Sequence, residues 1–191
     1  NDARSGYIQA FIANDFSGDL TGEKPLEHIS VLDVGCGGGM PFGPSASLGA
    51  MVVGVDAASR NIEIAKRHVN GTGFEVDYRH DTGHIAVAAV ALFDVVFSLE
   101  VIKHVCNPRK LTADCTAPLK HGGVIFIAKI NRSSRALVLA IIGGEFVLRW
   151  LPLGTHDWRW FLKPLEVEDM WAPEELMFRD TVGPGMNPLS R

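Results

Sequence analysis

The sequence is poor in cysteine, in clustered basic residues and in long apolar runs, and each shortage excludes a class of function. Three cysteines, Cys36, Cys106 and Cys115, occur in 191 residues. They form no CxxC pair and their count is odd, so neither a disulfide framework nor a cysteine zinc site follows, and a reducing compartment is the simpler expectation. Lys and Arg number 18 against 22 Asp and Glu, a formal charge of −4. With no run of basic residues there is no positive field for a phosphate backbone, and nucleic acid is not expected as a partner. No stretch reaches the roughly eighteen apolar residues of a membrane-spanning helix, and the start lacks the charged-then-apolar order of a signal peptide. The first residue is Asn1 rather than Met, which carries the expectation that an upstream segment, with any targeting peptide, has been lost.

What is present is a globular composition, 47% hydrophobic and 21% charged, with enough apolar surface to offset the entropy of folding. A chain of this length fits one α/β domain, taken here as residues 1–191. His28 to Val34 is a β-branched apolar run that ends in a glycine cluster, the pattern of a buried parallel strand entering a loop. A helix-length stretch follows, then a second strand from Met51 to Val55 ending in Asp56, and a helix from Asn61 to Val69. Phe74 to Tyr78 alternates as a strand does, and Phe93 to Phe97 is another buried run. A helix is expected over Leu111 to Leu119, closed by Lys120-His121-Gly122-Gly123, with a fifth strand from Val124 to Ala128. Strands and helices alternating at this rhythm imply βαβ units with right-handed crossovers. No repeat or low-complexity tract interrupts them. The expected fold is therefore α/β: a Rossmann-like, doubly wound, mostly parallel sheet with helices on both faces. Such a sheet usually closes with an antiparallel hairpin, for which too little chain remains before Arg191, so the last hairpin is expected to be truncated.

The strongest chemical signal is Val31-Leu32-Asp33-Val34-Gly35-Cys36-Gly37-Gly38-Gly39, four glycines where the first strand turns toward a helix. Lacking Cβ atoms, such a loop adopts positive φ and lets a ligand approach the backbone closely. Asp56 ends the next strand twenty-one residues after Gly35, the spacing at which a carboxylate holds ribose hydroxyls. Together these features point to an adenosine cofactor. The dinucleotide fingerprint Gly-x-Gly-x-x-Gly is missing, which makes a nicotinamide dehydrogenase remote. Gly35 to Gly39, preceded by Asp33, looks instead like the first motif of methyltransferases that use S-adenosylmethionine.

Further stretches carry a resemblance over nearly the whole chain: Asn1-Asp2-Ala3-Arg4 through Gly6-Tyr7-Ile8, Gly54-Val55-Asp56, Asn61-Ile62, Ser98-Leu99-Glu100-Val101-Ile102-Lys103-His104-Val105, Asn131-Arg132, Gly154-Thr155-His156-Asp157-Trp158 and Asn187-Pro188. With the glycine loop they resemble the bacterial and mitochondrial ubiquinone-biosynthesis O-methyltransferases, which methylate polyprenylated catechol-type intermediates. The Gly-Thr-His-Asp-Trp stretch is the most specific, and it is closer to the bacterial branch. The resemblance implies S-adenosylmethionine as cofactor. It implies contacts from Arg4 in an N-terminal helix, Gly35 in the loop, Asp56 at the ribose and Leu99 beside the adenine, to which the motif adds Asp33 and Gly37. A guanidinium such as that of Arg4 forks onto a carboxylate, here the one at the methionine end.

The resemblance also raises a metal. In the family, the stretch at Glu100 to His104 reads Glu-x-x-Glu-His and is similar to the magnesium-binding stretch of small-RNA 2′-O-methyltransferases. Glu100 and His104 are the candidate ligands, with His156 a further one; an ion there lowers the pKa of a catechol hydroxyl and orients it. Lys103 stands where the family has the second Glu. It removes an oxygen ligand and adds positive charge, which weakens magnesium or leaves Lys103 itself to stabilise a phenolate. His104 is the first candidate base and His156 the second, because an imidazole titrates near neutral pH.

Other departures are Pro41 and Gly43 in the helix after the loop, where a proline beyond the first turn costs about 3 kcal/mol, and Lys129 after the fifth strand. The segment 131–163 reads as an insertion. Its Trp150, Trp158 and Trp160 beside Arg149 and Arg159 suit either a membrane-surface edge or a lid over the active site. The implied location is cytoplasmic and peripheral to the inner membrane, on the matrix side if eukaryotic. Two other readings remain. One is a methyltransferase for another small molecule or an RNA 3′ end, the RNA disfavoured by the acidic balance. The other is a non-catalytic S-adenosylmethionine-binding subunit of a quinone-synthesis complex, motivated by Lys103 and Pro41.

Overall fold

A computed structural model describes residues 2–17, 24–39, 46, 48–81, 91–99, 101, 105, 107–128, 169–174 and 176–180. Its five strands are β1 (Ser30–Val34), β2 (Met51–Asp56), β3 (Val76–His80), β4 (Phe93–Leu99) and β5 (Leu119–Ala128), of which β1, β2 and β4 are rich in valine. The sheet order is β3-β2-β1-β4-β5, and every neighbouring pair is parallel. Parallel neighbours need crossover connections. Helix α2 (Ser59–Val69) lies between β2 and β3, and α3 (Pro108–Thr116) between β4 and β5, while α1 (Asp2–Ile12) precedes the sheet and ends in a single π turn, Ala13–Ser17.

Strand alternation divides the core between the two faces of the sheet. Leu32, Val34, Val53, Val55, Phe93 and Val96 pack with Leu111 and Cys115 of α3 and with Trp171. Val31, Val52, Val95 and Phe97 pack with Ile12 of α1, Leu26 and Ile29. All five β1 residues are buried, as the central strand of a doubly covered sheet must be. Burying each large aliphatic side chain stabilises the fold by about 1.5–3 kcal/mol. The α/β class, the parallel sheet and the helices on both faces are therefore as expected.

Boundaries differ from the sequence reading: β1 starts at Ser30 rather than His28, α2 at Ser59 rather than Asn61, and β3 covers Val76–His80 rather than Phe74–Tyr78. Helix α3 starts at Pro108 rather than Leu111, because the Asn107 side chain accepts from the Lys110 N–H at 3.1 Å and Pro108 takes a first-turn position that needs no N–H. The residues Lys120 to Gly123, expected to close that helix, belong to β5. Phe93 pairs with Leu119 but Val95 with Val124, so the intervening residues bulge out of the ladder. Gly122 has a φ of 79° and a Cβ on Gly123 would lie 2.9 Å from the Asp94 carbonyl oxygen, which explains the glycine pair there. Pro41 and Gly43 of the helix expected after the glycine loop, the insertion 131–163 and residues 181–191 lie outside the described residues.

From β1 the chain winds outward to β3, then returns to β4 on the other side of β1. In doubly wound sheets ligands bind outside the carboxyl ends of the strands at this reversal. Here that is the edge where β1, β2 and β4 end.

Candidate active site

β1 runs directly into the glycine loop, and β2 anchors it. The N–H groups of Gly35 and Cys36 both donate to the Val55 carbonyl, at 2.8 and 3.0 Å, and the Gly39 N–H donates to the Cys36 carbonyl at 3.0 Å. Gly35 and Gly37 have φ of 75° and 55°, values that side chains disfavour. At Gly35 a Cβ would also collide with Val101, just beyond β4. At Gly37 it would meet nothing within 4 Å among the described residues, so glycine there keeps the described side of the loop clear for a ligand.

Two acidic side chains at this edge differ in their hydrogen-bond partners. Asp56 closes β2 and accepts from the Gly37 N–H through Oδ2 at 2.9 Å, and from the Ala58 N–H and Asn61 Nδ2 through Oδ1 at 2.8 and 3.0 Å. An ionised carboxylate has about four acceptor positions, so capacity remains. Asp33 is only 2% exposed, and among the described residues its Oδ2 has no hydrogen-bond partner. Burial, and then the neighbouring Asp56, push its carboxyl well above the usual carboxylate range. Burial and the same two carboxylates push the Cys36 thiol up, so Cys36 is a packed, protonated side chain rather than a nucleophile.

The structure brings Asp33, Gly35, Gly37 and Asp56 together at one sheet edge, and Leu99, the half-buried last residue of β4, ends a strand adjacent to β1. Arg4 lies in α1. Glu100, Lys103, His104 and His156 lie outside the described residues, among which no group of three or more His, Cys, Asp or Glu is placed to hold a metal ion. Asn61, Val101, His68 and Tyr78 contribute to the loop although no role was read for them in the sequence. Only Asn61, five residues beyond Asp56, had a local signal, that of an amide near a strand-ending carboxylate.

A family model described as a methyltransferase domain matches residues 32–127, which hold the glycine loop, both carboxylates and β2 to β5 almost entire. The ubiquinone biosynthesis O-methyltransferase of Dinoroseobacter shibae is 42% identical over 191 residues, all of this chain and 77% of that protein. The protein of the same name from Cereibacter sphaeroides is 43% identical over 190 residues, again with 77% of its length covered. The chain belongs to the ubiquinone biosynthesis O-methyltransferase family. It is an S-adenosylmethionine-dependent methyltransferase. The crystal structure of the plantazolicin methyltransferase BamL, in complex with a triazolic desmethylPZN analogue and S-adenosylhomocysteine, matches with a TM-score of 0.66 at 20% identity, covering 90% of this chain and 62% of that one, a likeness of fold.

The residues of this O-methyltransferase fit the cofactor on their own terms. Asp33 is a buried carboxyl with an oxygen that finds no donor among the described residues, and an amino-acid ammonium is a donor of the right charge. Asp56 has acceptor capacity for a hydroxyl, and Gly37 leaves room for a ligand against the backbone. What S-adenosylmethionine supplies, when bound, is a methyl group on a positively charged sulfur.

Proposed function

We propose that this family member methylates a hydroxyl of a polyprenylated catechol or phenol in ubiquinone biosynthesis. The observation that carries the reading is identity above 40% along the entire chain to proteins of that name. Asp33, buried beside the glycine loop with an oxygen that has no partner among the described residues, supports it. In this reading Arg4 forks onto the methionine carboxylate, Asp33 faces the ammonium, Gly35 and Gly37 admit the backbone-proximal part of the ligand, Asp56 accepts from the ribose and Leu99 lies against the adenine.

For the transfer, the substrate hydroxyl must lose its proton and meet the methyl carbon in line, so the protein contributes positioning and a base. His104 takes that proton, with His156 the second choice. Glu100 and His104 are the groups that would hold magnesium, in a site weakened by Lys103. The stretch 131–163 meets the membrane surface where the prenyl tail resides, or covers the active site. Among the described residues no helix is long and apolar enough to cross a membrane. The proposed contact is peripheral, on the cytoplasmic side of the inner membrane or its matrix equivalent.

The test is calorimetric titration with S-adenosylmethionine, followed by addition of a short-chain catechol analogue with and without magnesium, with S-adenosylhomocysteine followed by mass spectrometry. The expected result is binding, then turnover that falls by about a hundredfold or more in His104→Ala and becomes more magnesium-dependent in Lys103→Glu. Binding without turnover, even in Lys103→Glu, would replace this reading with that of a non-catalytic cofactor-binding subunit. No binding would overturn the cofactor assignment itself.

A further inference from the structure

We infer that Tyr78 and His68 are positioning residues for the cofactor: they hold the Gly39 and Gly38 carbonyls of the loop and so set the affinity for the methyl donor. The inference rests on the assignment of the glycine loop to S-adenosylmethionine.

Four glycines in five residues cannot hold a shape by themselves, because glycine loses more backbone freedom on ordering than any other residue. The ligand-ready form of the loop must therefore be imposed by its surroundings. On the N–H side this is done by β2, through the Val55 carbonyl and the Asp56 carboxylate. On the carbonyl side it is done by two side chains from other elements. The Tyr78 hydroxyl on β3 donates to the Gly39 carbonyl at 3.2 Å. His68, in the last turn of α2, lies 2.8 Å through Nδ1 from the Gly38 carbonyl. A carbonyl oxygen only accepts, so the hydrogen sits on Nδ1.

The Gly38 carbonyl and the Gly39 N–H are opposite ends of one peptide unit. The first is held by His68 and the second by the Cys36 carbonyl at 3.0 Å, which fixes that peptide plane from both sides.

Tyr78 is placed for this by packing. Its side chain is buried with Cys36, Ile62 and Ala65. A Cβ on Gly54 would come within 2.7 Å of its Cδ1, and a Cβ on Gly39 within 2.9 Å of its Cζ. The ring therefore fills the space that two glycines leave, and its hydroxyl is delivered to the loop with little freedom to move. Burial also means that solvent replaces the hydroxyl poorly if it is removed. His68 is exposed, so its contact is the weaker of the two. A Cβ on Gly38 would still lie 3.9 Å from its ring and 3.3 Å from Ile64, which places α2 directly against the loop.

The test compares the full chain with Tyr78→Phe, His68→Ala and His68→Gln, reading the S-adenosylhomocysteine Kd by calorimetry, donor KM and kcat by turnover, and the Tm of the free proteins. Tyr78→Phe removes one oxygen, and His68 is exposed, so both variants are expected to fold. Tyr78→Phe should weaken S-adenosylhomocysteine binding and raise donor KM about five- to tenfold, with kcat and catechol KM within about twofold of the parent. His68→Ala should cost about threefold, and His68→Gln, which keeps a donor, should recover part of it. Parent and Tyr78→Phe binding S-adenosylhomocysteine equally would overturn the inference alone. A fall in kcat at unchanged donor KM would also overturn it. Failure of the parent itself to bind would overturn the cofactor assignment and this inference with it.

Discussion

Burial beside a second carboxylate disfavours the charged form of a carboxyl, and Asp33 is in that position: 2% exposed, with Asp56 nearby and one oxygen lacking a partner among the described residues. Because its folded pKa is raised, the folded chain binds this proton more tightly than the unfolded chain does. The stability that proton contributes is fully present below the ordinary value of 3.8 and is lost as pH rises through the raised folded value. Asp33→Asn should therefore stabilise the ligand-free protein at pH 7 by about 1–2 kcal/mol, with a Tm higher by roughly 2–8 °C. The advantage should shrink as the pH is lowered toward 4, while S-adenosylhomocysteine binding weakens by about tenfold or more for want of the charge. Melting curves at the two pH values, with and without the ligand, check both halves; a variant that is less stable when ligand-free at pH 7 contradicts the account. Asp33, Gly35 and Asp56 were legible in the sequence because the glycine motif is contiguous and the acidic strand end follows at a fixed distance. Tyr78 was not, since its partner Gly39 is 39 residues away and an alternating strand gives no sign that one aromatic reaches across to a loop.

The strands themselves are joined at the opposite edge by a polar group that hydrophobic patterning does not reveal. Asp94, near the start of β4, accepts through Oδ2 from the Ser30 N–H and hydroxyl at 2.9 and 2.6 Å and from Lys120 Nζ at 2.8 Å, tying β1, β4 and β5 together. Burial works against the charged form, but the hydrogen bonds from Lys120 and Ser30 outweigh it and hold the carboxyl below its ordinary value. A depressed folded pKa gives stability that is present above 3.8 and lost as pH falls through the folded value. Asp94→Asn should lower stability at pH 7 by about 1 kcal/mol, discounted for the partial exposure of Lys120. Denaturant titrations should show that gap closing below pH 3.8; a gap that persists there would mean that packing, not charge, explains the loss. The same contact explains why the first residues of β5 were misread. Lys120, His121 and two glycines carry the composition of a loop, and only the bond to Asp94 and the bulged ladder to β4 make them strand. β1, β2 and β4 were legible because strands buried on both faces are written as continuous β-branched runs.

At the scale of the whole molecule, residues from opposite ends of the chain meet on one face of the sheet. Arg179 pairs with Asp15 in the turn after α1, and its guanidinium lies 5.8 Å from the Phe11 ring centroid; the Tyr7 hydroxyl donates to Asp180 at 2.9 Å. Phe11 in turn packs edge-on to Phe126 at 5.3 Å, and Phe126 stacks on Phe97 at 5.2 Å. The segment 176–180 thus straps α1, which carries Arg4, to the sheet through surface charges and an aromatic column. Exposed pairs of this kind contribute about 1 kcal/mol or less to global stability, so their effect should be local. Arg179→Ala should leave the Tm nearly unchanged but speed amide exchange across Asp2–Ile12, with the β1 and β4 amides unaffected. If Arg4 grips the methionine carboxylate, the donor KM should rise about threefold at unchanged kcat, since a helix that opens more often holds its arginine in place less of the time. Raising the salt to about 0.5 M should produce much of the same change in the parent chain, because ions screen an exposed pair. Unaltered exchange in α1 would show that the aromatic column and the buried Ile12 hold the helix without the surface charges.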